Sequence, residues 1–240
     1  MNKKKFYNYN LTEVKNISNE IKFKRIGIIP YFMINNIPYY FLMRDSTFKE
    51  WTDCGGSPEN NENWIDTAIR ETKEESRSFF NFTKQKIYNS GIVCWREDYR
   101  IATIFVPIKI TNFNRAYIIC YKYRCDYLKG IEKKDSHVTL ENSDLNFYSE
   151  EMIKKENKNI YKLVRCLLRA FFRLGGVFYC KPHKNSCCYN NEARRYNNYS
   201  IPTHERVKNP QTRYYYLKPE SIYRDSSGFF SFIDSPVLNS

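Results

Sequence analysis

The stretch Cys54–Ser76, CGGSPENNENWIDTAIRETKEES, places two glycines and a proline ahead of a run of charged residues. Its second half gathers one arginine and three carboxylates, namely Arg70, Glu71, Glu74 and Glu75. The Gly-, Pro- and Asn-rich first half predicts a loop, and the second half predicts a helix of about fifteen residues. In a helix the three glutamates stand at i, i+3 and i+4, so their carboxylates project from one face with Cβ atoms about 5–6 Å apart.

A chain with a formal net charge of +13 needs a local reason for such a cluster of carboxylates. Like charges at this spacing repel one another, so helix stability alone would not select them. Mg²⁺ or Mn²⁺ would remove the conflict, because these hard cations take carboxylate oxygens together with substrate phosphates. Arg70 lies four residues before Glu74 and can hold that carboxylate in one rotamer. The alternative is a solvated helix face of mixed charge, which is the better interpretation of RETKEESR taken alone.

The spacing of the whole stretch decides between these two interpretations. Its fixed residues, separated in turn by five, seven and two positions, are Gly56, Glu62, Arg70-Glu71 and Glu74-Glu75. This pattern resembles the Nudix box, G-x5-E-x7-R-E-U-x-E-E-x-G-U, in which U is aliphatic. A chance match of all these residues in such a chain is on the order of 10⁻⁵ or less, so the motif is specific. The resemblance covers roughly residues 23–175. The composition, typical of AT-rich coding, suggests a virus or a protist as the source, and so a viral-type member as one candidate.

The box departs from the family pattern at its C-terminal end. Thr72 and Ser78 stand where the family has aliphatic residues, and Arg77 replaces a glycine. A glycine there would favour the left-handed turn that ends the helix, whereas arginine in that geometry costs about 1 kcal/mol. We therefore expect the helix to end differently. Asp53-Cys54 also precedes the glycines where many members have a proline, but none of these changes removes a metal ligand, and we expect an active enzyme.

The pattern of apolar residues predicts the elements around the box. Residues 23–34 and 37–45 predict a hairpin with an Asn-Asn turn, and QKIYNSGIVCWRED, YRIATIFVPIKI and VTLENSDLNFY predict further strands. A polar loop is expected around residues 129–136. SEEMIKKENKNIYKLVRCLLRAFFRLGG predicts one amphipathic helix that Ser149 caps and Gly175-Gly176 ends. The resemblance implies an α/β fold, a Nudix-like α/β/α sandwich with a mixed central sheet.

We divide the chain into three parts. Residues 1–22 are expected to form a basic, partly helical lead-in, residues 23–175 the Nudix hydrolase domain, and residues 176–240 a Tyr- and basic-rich extension. The start of the chain has the basic residues of a signal peptide but no apolar run after them, and no segment is long and apolar enough for a membrane helix. We therefore expect a soluble, cytoplasmic protein without a membrane partner; its oligomeric state is open.

The resemblance implies hydrolysis of a nucleoside diphosphate linked to another group. Glu71, Glu74 and Glu75 would hold Mg²⁺ or Mn²⁺, and Arg70 would orient Glu74. Gly56 and Glu62 would fix the loop that receives the pyrophosphate, with Glu62 also able to reach the free N–H groups at the start of the helix.

The general base is open, because its position varies within the family. Glu74 or Glu75 could serve, and so could an acidic residue after the box. Glu141 and Asp144 are the candidates there, with a solvated loop acid as the alternative for both.

Aromatic residues near the predicted strand ends are candidates for stacking on a base. They are Phe48, Trp51, Trp95 and Tyr99, of which we single out Trp51 and Trp95; packing in the core or at its rim is the alternative.

The scattered cysteines, in a chain without a secretion signal, argue against a disulfide framework. Only CKPHKNSCC, with Cys180, His183, Cys187 and Cys188, has ligand-like density, and reduced cysteines are favoured over zinc there.

Three functions fit these observations. The first is a pyrophosphohydrolase acting on small nucleotides or other nucleoside-diphosphate-linked substrates. The second is removal of the mRNA 5′ cap, which the positive charge, the lysine-rich start and the Tyr/Arg-rich end of the chain favour, since RNA phosphates need a basic path and bases need stacking surfaces. The third is a Nudix-fold module that binds RNA or protein without hydrolysis; intact carboxylates argue against it. Hydrolysis is the leading prediction.

Overall fold

A computed structural model divides the chain into two units, Met1–Tyr189 and Asn190–Ser240. It describes residues 9–18, 20–135, 140–179, 222–224 and 230–232. In the second unit, β9 (Ile222–Arg224) and β10 (Phe230–Phe232) form an antiparallel pair. The remaining elements belong to the first unit.

The first unit alternates strands and helices along the chain. Its described strands are β1 (Tyr9–Glu13), β2 (Arg25–Ile34), β3 (Ile37–Asp45), β4 (Trp51–Thr52), β5 (Cys54–Gly56), β6 (Ile92–Arg96), β7 (Ile101–Pro107) and β8 (Asn142–Tyr148). Its described helices are α1 (Trp64–Glu75), α2 (Lys84–Ser90), α3 (Phe113–Lys133), α4 (Glu150–Lys155), α5 (Lys162–Arg173) and α6 (Gly176–Tyr179). Among the described residues, no helix combines the length and apolar character that crossing a bilayer requires.

The strands form one mixed sheet in the order β1-β6-β7-β2-β3-β4, with β5 paired to β2 and β8 paired to β3. β2 lies at its centre, parallel to β7 and antiparallel to β3 and β5. The predicted hairpin is confirmed: β2 and β3 are joined by Asn35 and Asn36, both at positive φ (51° and 62°). Asparagine tolerates this left-handed geometry, which a two-residue hairpin turn needs at both central positions.

Helices cover both faces of the sheet, which confirms the predicted α/β/α sandwich. On one face, Tyr31 and Tyr40 belong to a buried cluster with Leu167, Phe171 and other residues of α5. Side chains alternate along a strand, so the neighbouring Phe32 points to the other face, where α1 and α3 lie against the strands. The box helix and the amphipathic helix α5 are therefore on opposite sides of the sheet.

The single helix predicted from Ser149 to Gly176 is wrong, because the segment forms two helices. Ser149 does cap α4, its hydroxyl accepting from the Met152 N–H at 3.3 Å. A 3₁₀ turn at Asn157–Asn159 and an extended Ile160 then interrupt the helix. The Tyr161 N–H donates to the Trp51 carbonyl at 2.9 Å, so pairing with β4 replaces helical hydrogen bonds there.

The sequence pattern also missed several elements, of which α2, α3 and β1 are the longest. α2 precedes β6 in the segment that we predicted as strand, and the 21-residue helix α3 extends into the predicted polar loop. Residues Tyr9–Glu13 of the expected lead-in form β1, which pairs with β6 at the sheet edge. α3 mixes apolar residues with many tyrosines and lysines, so its helical period is weak in the sequence.

Candidate active site

The glycines before α1 allow close contact between the loop and its neighbours. Gly55 lies opposite Gly27 in the β5–β2 pair, and a Cβ on Gly55 would meet the Gly27 backbone. A Cβ on Gly56 would overlap the carboxylate of Glu71. Neither Gly55 nor Gly56 has a positive φ, so space rather than backbone freedom requires glycine here.

A buried ion pair lies directly beneath this loop. The Arg25 guanidinium donates to Asp53 at 2.6 and 3.3 Å and to the Gly55 carbonyl at 3.2 Å. Asp53 also accepts from the Thr103 hydroxyl at 2.7 Å. Burial opposes the charge on Arg25, but the attraction of Asp53 outweighs it and raises the pKa of the guanidinium. The pair ties the loop to the centre of the sheet.

Arg70 joins the start of the box to its helix. It forms a two-pronged contact with Glu62, with both distances 3.0 Å, and donates to the Ser57 carbonyl at 3.1 Å. It also contacts Glu74 at 3.2 Å, as predicted, and Glu71 at 2.9 Å. Hydrogen bonding from Arg70 lowers the pKa of Glu62.

Glu62 fixes the loop, but it does not cap the helix as its position suggested. Asn63 caps α1, its side chain accepting from the Ile65 and Asp66 N–H groups at 3.0 Å. Glu62 accepts instead from Arg70 and from the Thr67 hydroxyl at 3.0 Å. The shorter side chain of Asn63, one residue later in the chain, reaches the free N–H groups of the first turn better than that of Glu62 does. The spacing of the sequence could not show which of the two residues would cap the helix.

Glu75 is a buried carboxylate with acidic neighbours. It is 7% exposed, and its Oε2 accepts from the Gly55 N–H at 3.1 Å. Burial raises its pKa well above the usual range, with further upward contributions from Glu141, Asp53 and Glu71. The pKa of Glu71 is also raised, first by burial and then by Glu74 and Glu141 against the opposing effect of Arg70.

The two base candidates after the box have different surroundings. Glu141 precedes β8 and lies near enough to Glu71 and Glu75 to raise the pKa of both. Asp144 is buried on β8 and pairs with Arg124 of α3 at 3.5 Å. The structure therefore brings Glu141, and not Asp144, to the carboxylates of the box.

The donors at this site fit a hard divalent cation. Glu71, Glu74, Glu75 and Glu141 supply carboxylate oxygens only. Burial and neighbouring carboxylates disfavour the charged forms of Glu71 and Glu75, and a bound cation would offset this penalty. Within the described residues no three such side chains already form a closed ligand set. Glu71 and Glu74 contact Arg70 instead, so a cation would compete with Arg70 for them.

The other candidate ligands and aromatics are dispersed. Cys180, His183, Cys187 and Cys188 lie outside the described residues. Trp51 is 5% exposed and packs on Tyr148, with ring centroids 5.3 Å apart, so it is a core residue and not a surface for a base. Trp95 lies in β6, and Tyr99 covers Arg96. Phe48 is 77% exposed on the β3–β4 turn.

Arg77 keeps the left-handed geometry that a glycine would favour. Its φ is 50°, and the Ser78 N–H donates to the Lys73 carbonyl at 2.7 Å, which closes the end of α1. The expectation that the helix would end differently is wrong. Thr72 is buried and donates to the Ala68 carbonyl at 2.6 Å, so its hydroxyl is satisfied within the helix.

Comparisons with known proteins found similar chains among solved structures. No family model matches the chain, and no curated protein matches it. A C. elegans Ap4A hydrolase is 19% identical over 64% of this chain and 98% of its own, with a TM-score of 0.40. A Nudix hydrolase from Nitrosomonas europaea is 15% identical over 66% of this chain and 74% of its own, with a TM-score of 0.35. A Nudix-family hydrolase from Clostridium perfringens is 15% identical over 64% of this chain and 97% of its own, with a TM-score of 0.35.

The fold assignment follows from the box and from its geometry. The loop of Gly55 and Gly56 lies on the central strand, and α1 presents the glutamates of the box beside it. Arg70 connects the loop to the helix, and a second helical layer covers the opposite face of the mixed sheet. The described domain therefore has a mixed sheet between helical layers, as the resemblance to the Nudix family implies, and residues 56–78 match the pattern of the Nudix box except at Thr72, Arg77 and Ser78.

Proposed function

We propose that the protein is a Mg²⁺- or Mn²⁺-dependent hydrolase that cleaves a pyrophosphate bond in a nucleoside-diphosphate-linked substrate. The observation that carries the proposal is the position of two box carboxylates against the glycine loop: Glu71 lies against Gly56, and Glu75 accepts from the Gly55 N–H at 3.1 Å. Glu141 lies near enough to raise the pKa of both. A basic protein gains nothing in stability from burying carboxylates next to one another. The arrangement is explained by a function that needs a negative site for cations.

The residues of the site divide the chemical work. Glu71, Glu74 and Glu75 would hold the cation, which supplies charge neutralisation of the pyrophosphate oxygens and a lowered pKa for an attacking water. Glu141 would accept the proton from that water, since it lies near enough to raise the pKa of Glu75 and is not part of α1. Arg70 orients Glu74 and holds the loop through Ser57. Gly56 leaves room for the Glu71 carboxylate to lie against the loop.

Cap removal from RNA and RNA binding without hydrolysis remain the alternatives. The net charge of +13 supports an RNA substrate, since basic residues attract a phosphate chain. Intact box carboxylates support hydrolysis over binding alone. Steep salt dependence of RNA binding would favour the cap substrate, and indifference to RNA would favour a small nucleotide.

A hydrolysis panel tests the proposal. Cap-labelled RNA, free cap analogue, nucleoside triphosphates, ADP-ribose and diadenosine polyphosphates are incubated with Mg²⁺ or Mn²⁺, beside Glu74→Gln as the matched variant. We expect metal-dependent turnover of at least one substrate, lowered by about 10²-fold or more in the variant. The Glu74 side chain is 42% exposed, so this change should leave the fold intact.

The outcome of the panel separates the three functions. Release of a capped nucleoside diphosphate from RNA but not from cap analogue would identify a decapping enzyme. Turnover of a small nucleotide with RNA untouched would identify a nucleotide hydrolase. Salt-sensitive RNA binding without metal-dependent turnover of any substrate would contradict the proposal and support the binding module.

Phe48→Ala is expected to weaken substrate binding. The Ser46 N–H of the same turn donates to the Glu141 carbonyl at 2.7 Å, so the exposed Phe48 ring lies on the turn that borders the site. Stacking of a base on an aromatic ring contributes about 1–3 kcal/mol, which corresponds to a rise in KM of roughly 5- to 150-fold. Steady-state kinetics with the best substrate of the panel measures this rise, with kcat expected to change little.

Tyr88→Ala provides the control for this prediction. Tyr88 is also exposed, but it lies on α2 and contacts the Lys15 carbonyl rather than the site. We expect its KM to match that of the unmodified protein. Equal KM values for both variants would exclude Phe48 as the stacking residue.

A further inference from the structure

The C-terminal end of the box helix carries an unusual pair of residues. Arg77 and Ser78 both have positive φ, 50° and 63°. A side chain in this geometry is strained, and such strain persists only where surrounding contacts impose it. The contacts of Arg77 therefore need to be identified.

The Arg77 guanidinium is enclosed between α3 and β8. Its side chain is 5% exposed, and it donates to the Asn142 carbonyl at 2.9 Å and the Tyr123 carbonyl at 2.8 Å. It lies 3.7 Å above the Tyr123 ring, and its Nε is 3.3 Å from Asp126. A guanidinium that is buried to this degree loses most of its hydration, although arginine side chains usually keep their charged end in water. Arg77 thus links the end of α1 to two elements distant in sequence.

Tyr123 also links the end of α1 to the start of β8. It is fully buried on α3, and its hydroxyl donates to the Glu75 carbonyl at 2.8 Å, with the Asn142 carbonyl 3.3 Å away. Tyr123 therefore joins the main chain at Glu75 to the main chain at Asn142, next to Glu141, and Arg77 donates to that same Asn142 carbonyl. Both of these acidic residues belong to the proposed site.

We propose that Arg77 and Tyr123 form a clamp that fixes the separation of the Glu75 and Glu141 carboxylates and so positions them for cation binding and proton transfer. The inference rests on the proposed function of the carboxylates, but it concerns residues that contact neither substrate nor cation. Arg77 is a positioning residue in this scheme. The strain at its backbone is offset by contacts that a glycine at the same position could not make.

The alternative is that Arg77 only fastens helices together. A fastening role predicts a loss of stability on substitution, with unchanged kinetics in the protein that remains folded. Positioning predicts a specific change at Glu75. Because the Gly55 N–H donates to the Glu75 carboxylate at 3.1 Å, its hydrogen exchange reports the placement of Glu75 without metal or substrate.

The experiment compares Arg77→Gly with Arg100→Gly. Arg100 also has a φ of 50°, but it is an exposed residue in the β6–β7 turn. Both substitutions relieve backbone strain, and only the first removes the clamp. Each variant is measured for exchange of the Gly55 amide, for Mn²⁺ affinity without substrate, and for kcat and KM. The Gly91 amide, which donates to Ile87 on α2, is the internal reference.

For Arg77→Gly we expect faster exchange at Gly55 with Gly91 unchanged, and a loss of about 10–100-fold in Mn²⁺ affinity or kcat, the range for residues that orient metal ligands. KM should change less than kcat. Arg100→Gly should retain all of these values. Tyr123→Phe, which removes only the hydroxyl, should change them in the same direction and supplies the test if Arg77→Gly does not fold.

Kinetics, Mn²⁺ affinity and Gly55 exchange that match those of Arg100→Gly would overturn the clamp. Failure of the proposed function gives a different result: the unmodified protein would neither hydrolyse a substrate nor bind Mn²⁺. In that case Gly55 exchange still decides, because faster exchange in Arg77→Gly and Tyr123→Phe supports the clamp and unchanged exchange refutes it.

Discussion

Glu75→Gln is expected to lower kcat by about 10³-fold and, at the same time, to raise the melting temperature of the metal-free protein. The loss of activity follows from removing a carboxylate that would hold the cation and retaining an amide of the same shape. Loss of several kcal/mol of charge stabilisation in the transition state accounts for a factor of this size.

The gain in stability follows from the surroundings of Glu75. The ionised carboxylate is buried beside Glu71, Asp53 and Glu141, and its raised pKa shows that the folded state disfavours its charge. Glutamine carries no charge, and its amide oxygen can still accept from the Gly55 N–H. Replacing the carboxylate therefore removes repulsion while the Gly55 N–H keeps its acceptor.

Calorimetry with EDTA and with Mn²⁺, beside steady-state kinetics, measures both effects. The unmodified protein should be stabilised by Mn²⁺, because a ligand of the folded state shifts the unfolding equilibrium, and Glu75→Gln should respond much less. Glu132→Gln, at an exposed position of α3, is the control and should behave as the unmodified protein. A variant that is less stable and fully active would show that Glu75 has a structural role.

The sequence predicted the parts of this protein that local pattern determines. The hairpin follows from alternating apolar residues around Asn35-Asn36, and α1 follows from the spacing of its glutamates. The sheet between helical layers followed from the box, because a specific motif implies its fold. α3 was missed since its burial comes from contacts with β8 that its own weak period does not reveal.

Contacts between distant residues could not be predicted from the sequence. Arg25 and Asp53 are 28 positions apart, and their pairing appears only when β2 is folded against the loop. Asp53 was noted only as a departure ahead of the glycines. Arg77 was interpreted as a poor helix end, because its partners on α3 and β8 are 46 and 65 positions away.

Asp53→Ala is expected to cause the largest loss of stability. The Asp53 side chain is fully buried and accepts from Arg25 and Thr103, so its removal leaves the Arg25 guanidinium buried without its charge partner. Breaking a buried ion pair in this way costs about 3–5 kcal/mol. For a domain of this size the melting temperature should fall by roughly 6–20 °C.

Thermal unfolding of two further variants shows whether the unpaired charge is responsible. Asp98→Ala breaks an Arg–Asp pair of similar geometry, but Asp98 is half exposed, so we expect a much smaller loss of stability than for Asp53→Ala. Adding Arg25→Met to Asp53→Ala removes the uncompensated charge and should restore part of the stability. The two residues act independently if Arg25→Met destabilises the Asp53→Ala variant as much as it destabilises the unmodified protein. In that case the ion pair does not hold the loop. Recovery in the double variant would show that the charge of Arg25, held by Asp53, anchors the glycine loop to the sheet.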